Sequence, residues 1–440
     1  MGTPRRSDDA RDYLALRAEW LKVRGYLFDP GTDLPAMPAV LEDVRRRVEQ
    51  GDRLGVVWLD LSGEDSLEEV YGWETYDGLL HQVATVLGTC RGALLGPRDL
   101  VAVAGVRSDQ FLVFAGVPAR GGEKALADLR ERLLAELGRR IRIQVGKEMP
   151  RGLGAQAASS LLRHDPTIRI ERSIYRTLDG LRLQCQRDRE ERLTARRSEL
   201  QRILAARDIR IRYQPILRLA DETTYGFEAL SGGPEGDLFE SPEMLFSFAE
   251  KTDQLLELER LCRVESVRGA AELPRGHKLF LNCSAHGIAD AETLSASLVS
   301  LAAGSGLRPS DLVLEITERV AVTAWADFRK RIDRLRAMGF EIAIDDMGTG
   351  YSSLHSVAEV EPDYLKFDIA LVRDIHRSPI KRGLLESLEL LARRMGAQVI
   401  AEGVEQDEER RTLREMGVAL AQGYLFSPPA GLRTYVPGPA

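Results

Sequence analysis

Cysteine is scarce in this chain: four in 440 residues, Cys90, Cys185, Cys262 and Cys283, far apart and with no CxxC pair. That spacing excludes a disulfide framework and a thiolate metal centre, and it predicts free buried thiols in a reducing cytoplasm. Histidine is as thin, with six residues. None is paired at metal spacing, so even His286 and His355, near the motifs described below, read as structural or surface groups. No window approaches 18 consecutive apolar residues, so no membrane-spanning helix is expected. The start, Met1-Gly-Thr-Pro-Arg-Arg, is followed by no apolar stretch of the secretory kind, and Arg6 spoils the myristoylation pattern. Excess charge is also missing: 61 Lys+Arg against 68 Asp+Glu leave a formal −7. A broad electrostatic grip on duplex nucleic acid is thereby excluded as the main function. The expectation is a soluble, cytoplasmic protein with neither a membrane nor duplex nucleic acid as partner.

What is there is ordinary globular material, 44% hydrophobic and 29% charged, long enough for two domains. Composition shifts near residue 186. Gln186-Arg-Asp-Arg-Glu-Glu-Arg-Leu-Thr-Ala-Arg-Arg-Ser-Glu-Leu is mostly charged, with Leu193, Leu200 and Leu204 at helical spacing, and reads as a linker helix over 186–202. After it, helices ending at Gly339, Gly396 and Gly417 each run at once into an apolar strand. Helix, glycine stop and buried strand recur at intervals of 57 and 21 residues, the rhythm of a β/α fold. About 235 residues of it suit a (β/α)8 TIM-type barrel over 203–436, in the α/β class. Residues 26–185 differ. Strand-like runs at Leu54–Asp60, Leu100–Ala104, Phe111–Phe114 and Ile141–Val145 alternate with helical patterns at 64–88, 123–138 and 168–182. A polar turn at Arg107-Ser108-Asp109 predicts a hairpin, so this region reads as an α+β domain behind a helical tail at 1–25.

In the second half, a polar residue ends each apolar run. Tyr225-Gly-Phe meets Glu228, Lys278-Leu-Phe-Leu meets Asn282, and Leu312-Val-Leu meets Glu315, with Glu318 beyond. Glu341-Ile-Ala-Ile ends in Asp345-Asp346, Tyr364-Leu in Lys366 and then Asp368, Gln398-Val-Ile-Ala in Glu402 with Glu405 beyond, and Val418-Ala-Leu-Ala in Gln422. A barrel gathers these strand ends at one mouth. Crowded carboxylates cannot all stay ionised there without cations, and hard oxygen donors without His or Cys favour Mg²⁺, Mn²⁺ or Ca²⁺ over zinc. Two such ions about 3.5–4 Å apart could lower the pKa of a water and polarise a phosphoryl oxygen, with Lys366 as a compact positive charge beside them. Phosphate-ester hydrolysis follows as the reaction class. Taken singly, each residue has a plainer reading: Asp345-Asp346 as a helix cap, Asn282 as a turn residue, Lys366 as an edge lysine, Glu318 and Glu405 as surface glutamates. It is the seven strand ends behaving alike that favours a site. The loop Gly348-Thr-Gly-Tyr-Ser-Ser fits no nucleotide fingerprint and reads as a gate following two candidate ligands.

Over 203–430 the chain resembles the EAL family of cyclic di-GMP phosphodiesterases. The motifs are Tyr213-Gln-Pro-Ile, Glu228-Ala-Leu, Leu281-Asn, Leu314-Glu-Ile-Thr-Glu, Asp345-Asp-Met-Gly-Thr-Gly-Tyr-Ser-Ser-Leu, Leu365-Lys-Phe-Asp, Ala401-Glu-Gly-Val-Glu and Gln422-Gly-Tyr-Leu-Phe-Ser. The resemblance implies hydrolysis of cyclic di-GMP to linear pGpG with two Mg²⁺ or Mn²⁺ ions. These would be held by Glu228, Asn282, Glu315, Asp345, Asp346 and Glu402. Lys366 would contact the hydrolytic water, Glu318 would steady the glycine-rich loop, Glu405 and Gln422 would support the site, and Gln214 would meet the ligand. Barrels of this family often pair, and the linker helix could assist a homodimer, but the sequence leaves the oligomeric state open.

One departure stands out. The family usually follows Glu-Ala-Leu with an apolar residue and an Arg that contacts the nucleotide; here Ser231-Gly232-Gly233 follows. Losing such a charge-assisted bond costs about 1.5–3 kcal/mol of binding. An Arg at Ser231 is therefore expected to tighten binding, and a non-hydrolysing cyclic di-GMP sensor, or an interaction protein indifferent to nucleotide, is the alternative to an enzyme. Residues 26–185 resemble, more faintly, the GGDEF diguanylate cyclase family, through Asp29-Pro-Gly-Thr-Asp-Leu-Pro and Leu59-Asp-Leu-Ser-Gly. The signature hairpin reads Arg107-Ser-Asp-Gln-Phe, which puts side chains where bare glycine backbone is needed. Asp60 and Asp109 remain as metal-ligand candidates, Gln110 replaces an acid, Glu64-Asp65 replaces Phe-Lys, and Glu68 stands where a guanine-reading Asn is usual. The resemblance implies a degenerate domain without cyclase activity, left with a regulatory or dimerising role; GTP is a ligand it could bind, though no residue pattern supports that.

Overall fold

The computed structural model describes residues 17, 20, 22–61, 72–141, 155–284, 287–288, 291–317, 325–347 and 353–435. Most of the tail at 1–25, most of the strand expected from Ile141 to Val145, Glu64, Asp65, Glu68, His286, Glu318 and most of the glycine-rich loop lie outside these residues. The chain divides into two compact units, Met1–Arg196 and Arg197–Ala440.

The first unit is built on a four-stranded sheet of β1 (Leu54–Asp60), β2 (Leu100–Val103), β3 (Gln110–Gly116) and β4 (Gln156–Leu161), in the order β2-β3-β1-β4. Every pairing in it is antiparallel. Alternation of side chains sorts each strand into two cores. Val57, Leu59, Val101, Val103, Phe111 and Val113 share one core with helices Trp73–Thr89 and Gly122–Arg140. Val56, Trp58, Ala102, Leu112 and Phe114 face helix Met37–Glu49 and the start of helix Ile170–Ala206. The Arg107 turn is a hairpin as expected, and the buried Asp29 pins it: its Oδ1 accepts the Arg107 N–H at 2.7 Å while Oδ2 accepts from Thr32 N and Oγ1, both at 2.8 Å. Where the sequence suggests separate helices at 168–182 and 186–202, a single helix of 37 residues runs from Ile170 to Ala206. Between them stand only Leu183, Gln184 and Cys185, with no proline and no glycine stop.

The second unit is a closed eight-stranded barrel. Its strands are β5 (Arg210–Arg218), β6 (Thr224–Gly232), β7 (Lys278–Cys283), β8 (Leu312–Thr317), β9 (Glu341–Met347), β10 (Tyr364–Phe367), β11 (Gln398–Ala401) and β12 (Leu420–Ala421). From β6 to β12 neighbours run parallel, the helices between them supplying the crossovers, and Gly339, Gly396 and Gly417 end helices in the left-handed region as the sequence indicates. Strand β5 departs from the (β/α)8 pattern: it is antiparallel to both β6 and β12. Only residues 219–223 join it to β6, a turn held by Asp221, whose Oδ1 accepts from Thr223 N and Oγ1 at 3.1 and 2.7 Å. A parallel crossover needs a dozen residues or more, so this link can make only a hairpin.

Alternation also divides the barrel strands. Leu279, Leu281, Leu312, Leu314, Ile342, Ile344, Leu365 and Val399 point outward beneath the helices. Ile216, Phe280, Val313, Ala343, Tyr364, Ile400 and Leu420 fill the interior. All four cysteines are free and buried, as expected, with burial pushing Cys185 and Cys283 up to about 12. No helix among the described residues is long and apolar enough to cross a membrane.

The loop after β11 is fastened by Glu409, at the start of helix Asp407–Glu415. Its buried carboxylate accepts the N–H groups of Glu405, Gln406 and Asp374 at 3.0, 3.1 and 2.9 Å. An unsatisfied buried donor costs about 1–3 kcal/mol. Glu409→Ala, which strands three, is therefore expected to lower stability in urea unfolding by about 3 kcal/mol or more, whereas exposed Glu408→Ala should change it by less than about 0.5 kcal/mol.

Candidate active site

The apolar filling ends one layer below the mouth, and the next inward-facing residue of every strand is polar. Two residues beyond Phe280, Val313, Ala343, Tyr364, Ile400 and Leu420 stand Asn282, Glu315, Asp345, Lys366, Glu402 and Gln422. Glu228 takes this place on β6, and Gln214, which pairs with it in register, takes it on β5. Because β5 runs the opposite way, its site residue precedes the interior Ile216 instead of following it.

At the centre lies Lys366, fully buried. Its Nζ is 2.7 Å from Glu315 Oε1, 2.8 Å from Glu402 Oε1, 3.3 Å from Asp345 Oδ1 and 3.4 Å from Glu228 Oε2. Around the rim, Gln422 Nε2 donates to Glu228 Oε2 at 2.6 Å and to Gln214 Oε1 at 2.8 Å, and Gln214 Nε2 donates to Ser427 O at 3.1 Å. Asn282 Nδ2 lies 3.4 Å from Glu228 Oε1.

Asp346, expected as a ligand, is the member that strand alternation does not explain. Successive strand residues face opposite ways, so it ought to leave the barrel when Asp345 enters it. Its φ of +58° and a slip in the β9–β10 register break the alternation. Asp345, Asp346 and Glu402 consequently each bring a carboxylate oxygen within 4.8 Å of the others. The Asp346 N–H donates to Asp345 Oδ1 at 2.9 Å, which holds the bend.

Four carboxylates around one ammonium leave a surplus of negative charge in a shielded place. Burial, and then Glu228 beside it, pushes the Glu315 carboxyl well above its usual range, with Lys366 only partly offsetting them. Burial and the Asp345 charge do the same at Glu402. At Lys366 burial favours loss of the proton, but Asp345, Glu228, Glu315 and Glu402 outweigh it and hold the ammonium well above its ordinary value. Glu315 Oε1 has the Lys366 ammonium as its partner, whereas its buried Oε2 has no hydrogen-bond partner among the described residues. A buried, hard oxygen left open in this way suits a divalent cation of the Mg²⁺ or Mn²⁺ class.

Ten of the eleven site residues expected from the sequence are described here, and nine share this layer or its rim. Glu405 does not: it is exposed and forms an ion pair with Arg373 at 3.0 Å. The expectation about Ser231 is corrected. Glu228, Leu230 and Gly232 share the inward face of β6, whereas Ser231 is on the outward one, with a hydrogen bond to Cys262. An Arg at Ser231 would face away from the mouth, so Gly232 is the position that matters.

A model of the EAL domain matches residues 197–429, more than half of the chain. The chain belongs to the EAL family. Among its relatives, the cyclic di-GMP phosphodiesterase PdeR of Escherichia coli is 28% identical over 423 residues, covering 91% of this chain and 61% of PdeR. The bifunctional diguanylate cyclase/cyclic di-GMP phosphodiesterase MucR of Pseudomonas aeruginosa is 26% identical over 401 residues, covering 88% of this chain and 57% of MucR. This chain thus spans about three-fifths of the length of either relative. The cAMP-bound structure of the EAL enzyme Bd1971 matches with a TM-score of 0.52 at 23% identity, over 65% of this chain and 81% of that one, and shows the shared fold. Within the EAL barrel, Gly423 lets Gln422 reach the site: a Cβ there would lie 2.1 Å from the Val404 carbonyl oxygen.

The raised carboxyls have a consequence for the metal-free protein. A carboxyl raised on folding penalises the folded state once pH exceeds its ordinary pKa, 4.5 for glutamate, and not below it. With chelator present, Glu402→Gln is expected to melt higher than the parent at pH 8. The difference should vanish near pH 4, and a pH series of melting curves checks both ends.

Proposed function

We propose that this chain hydrolyses cyclic di-GMP, opening one of its two phosphodiesters with water to give linear pGpG. The observation that carries the proposal is the placement of Glu228, Glu315, Asp345, Asp346 and Glu402 around Lys366 in one layer, a donor set suited to two Mg²⁺ or Mn²⁺ ions with Asn282 as a further ligand. Such ions supply, when bound, activation of a water and polarisation of a phosphoryl oxygen. The chain's own groups do the rest. Lys366, held protonated by its neighbours, contacts the attacking water and offsets charge that develops at the phosphorus. Gln422 fixes the Glu228 carboxylate from one side and holds Gln214, which would meet the nucleotide. The apolar layer below keeps bulk water out, which strengthens each of these interactions. Glu318 would steady the glycine-rich loop, and Glu405 would support the site from the loop after β11. The relatives' printed activities support the substrate.

For the first unit we propose a degenerate cyclase-like domain at 26–185, without cyclase activity, followed by a linker segment at 186–202 and the EAL domain at 203–436. MucR, with both activities in its name, aligns along most of this chain and supports that reading. In the hairpin, Gln110 stands opposite Asp60 with its Nε2 3.5 Å from Asp60 Oδ2, where the signature has an acid. GTP binding there, a homodimer and a cytoplasmic location belong to the same proposal. Gly232, with no side chain to meet a nucleotide, favours a sensor as the second reading.

Incubation of the chain with cyclic di-GMP and Mn²⁺ decides between them. Hydrolysis is expected to yield pGpG by chromatography, to stop on chelation, and to fall about 100-fold or more in Glu228→Ala through loss of a ligand. Tight binding with no pGpG formed would establish the sensor instead.

A further inference from the structure

The carboxylate layer is not the last at the mouth. Side chains two apart on a strand share a face, so on β5 the residue one layer outward from Gln214 is Arg212, and the next is Arg210. The two arginines differ in their engagements. Arg210 is committed: its Nε donates to Gly233 O at 2.9 Å, and its guanidinium lies 3.3 Å from Glu240 and 3.6 Å from Glu235. Arg212 is exposed and has neither hydrogen bond nor ion pair with any described residue. On the facing strand β6, Arg212 pairs in register with Leu230 and Arg210 with Gly232, so that strand offers no cation in either layer. A side chain at Gly232 is further opposed by the backbone, since its Cβ would lie 3.0 Å from Glu240 O.

We infer that Arg212 binds a phosphate of the incoming dinucleotide and serves as the mouth's substrate-binding cation; the inference rests on the hydrolysis proposed above. An uncommitted guanidinium at the rim matches a phosphate with two parallel hydrogen bonds. Two residues along a strand advance about 6.8 Å, so Arg212 reaches past the phosphate being cleaved beside Lys366. A cyclic dinucleotide carries a second one. Contact with the non-reacting phosphate is the same before and during the reaction, so it acts on KM and leaves kcat alone.

The test compares the full chain with Arg212→Gln and Arg212→Lys in Mn²⁺, measuring kcat and KM for cyclic di-GMP, Mn²⁺ affinity and melting temperature. Arg212→Gln is expected to raise KM about 10-fold or more with kcat within twofold, and Arg212→Lys to recover part of the loss. Mn²⁺ affinity and melting should not change. An unchanged KM in an active protein overturns the inference and leaves the hydrolysis standing. A KM effect accompanied by weaker Mn²⁺ binding or lower melting also overturns it, because a structural role would move those. Where the parent shows no turnover, calorimetry with cyclic di-GMP separates the two claims. Binding weakened in Arg212→Gln supports Arg212 and sinks hydrolysis; no binding by the parent sinks both.

Discussion

One buried ammonium facing four carboxylates sets the terms for this barrel. Lys366 satisfies part of the charge around it, and without it Glu228, Glu315, Asp345 and Glu402 would face one another in a shielded mouth. With it, the carboxyls of Glu315 and Glu402 are still driven toward their protonated forms. The arrangement is therefore a cost to the fold, met elsewhere by the apolar cores within and around the strands. Sites that hold groups far from their ordinary protonation are more often functional than structural, because a core built for stability alone would use apolar residues of similar size.

The geometry that creates this crowding is simple. Residues two apart on a strand point the same way, so the polar residue that follows each apolar interior residue by two faces the same interior, and the barrel gathers these residues into one layer. Strand β5 obeys the same rule in reverse. Its antiparallel course makes the chain run inward from the mouth through Arg210, Arg212 and Gln214 to Ile216. Two positive side chains thereby stand outside an otherwise acidic ring. The segment Tyr213-Gln-Pro-Ile alternates in the same way: Tyr213 turns outward, where its hydroxyl donates to Ser266 O at 2.7 Å, and Gln214 turns in.

Much of this was legible in the sequence because it is written in local pattern. An apolar run that stops at an acid marks a strand end, and a helix that stops at glycine marks a boundary; Gly339, Gly396 and Gly417 each take the left-handed conformation that the pattern implies. What depends on pairing was not legible. The direction of β5 follows from a turn too short for a crossover, but its consequence, arginines at the mouth, needs the register with β6. The parity error at Ser231 has the same origin: adjacent residues of one strand differ by a whole face, and only register says which is which. Strand β4, Gln156-Ala-Ala-Ser-Ser-Leu, lacks the β-branched and aromatic residues that announce a strand and is held by its pairing with β1. Asp346 was recognisable as a candidate, yet not the left-handed backbone that keeps its carboxylate beside Asp345.

The missing side chain at Gly232 and the intact carboxylate layer pull the functional reading in different directions, and their magnitudes decide between them. A lost charge-assisted contact weakens ground-state binding by about 1.5–3 kcal/mol, which a higher substrate concentration or another guanidinium can offset. The acidic layer, by contrast, imposes its penalty on the folded state whether or not ligand is present. Recognition of a dinucleotide alone needs no such crowding, since amides and arginines bind phosphate without it. Under the proposed hydrolysis, bound cations would return something for the strain around Lys366, so the departure on β6 would bear on affinity and the layer beneath it on turnover.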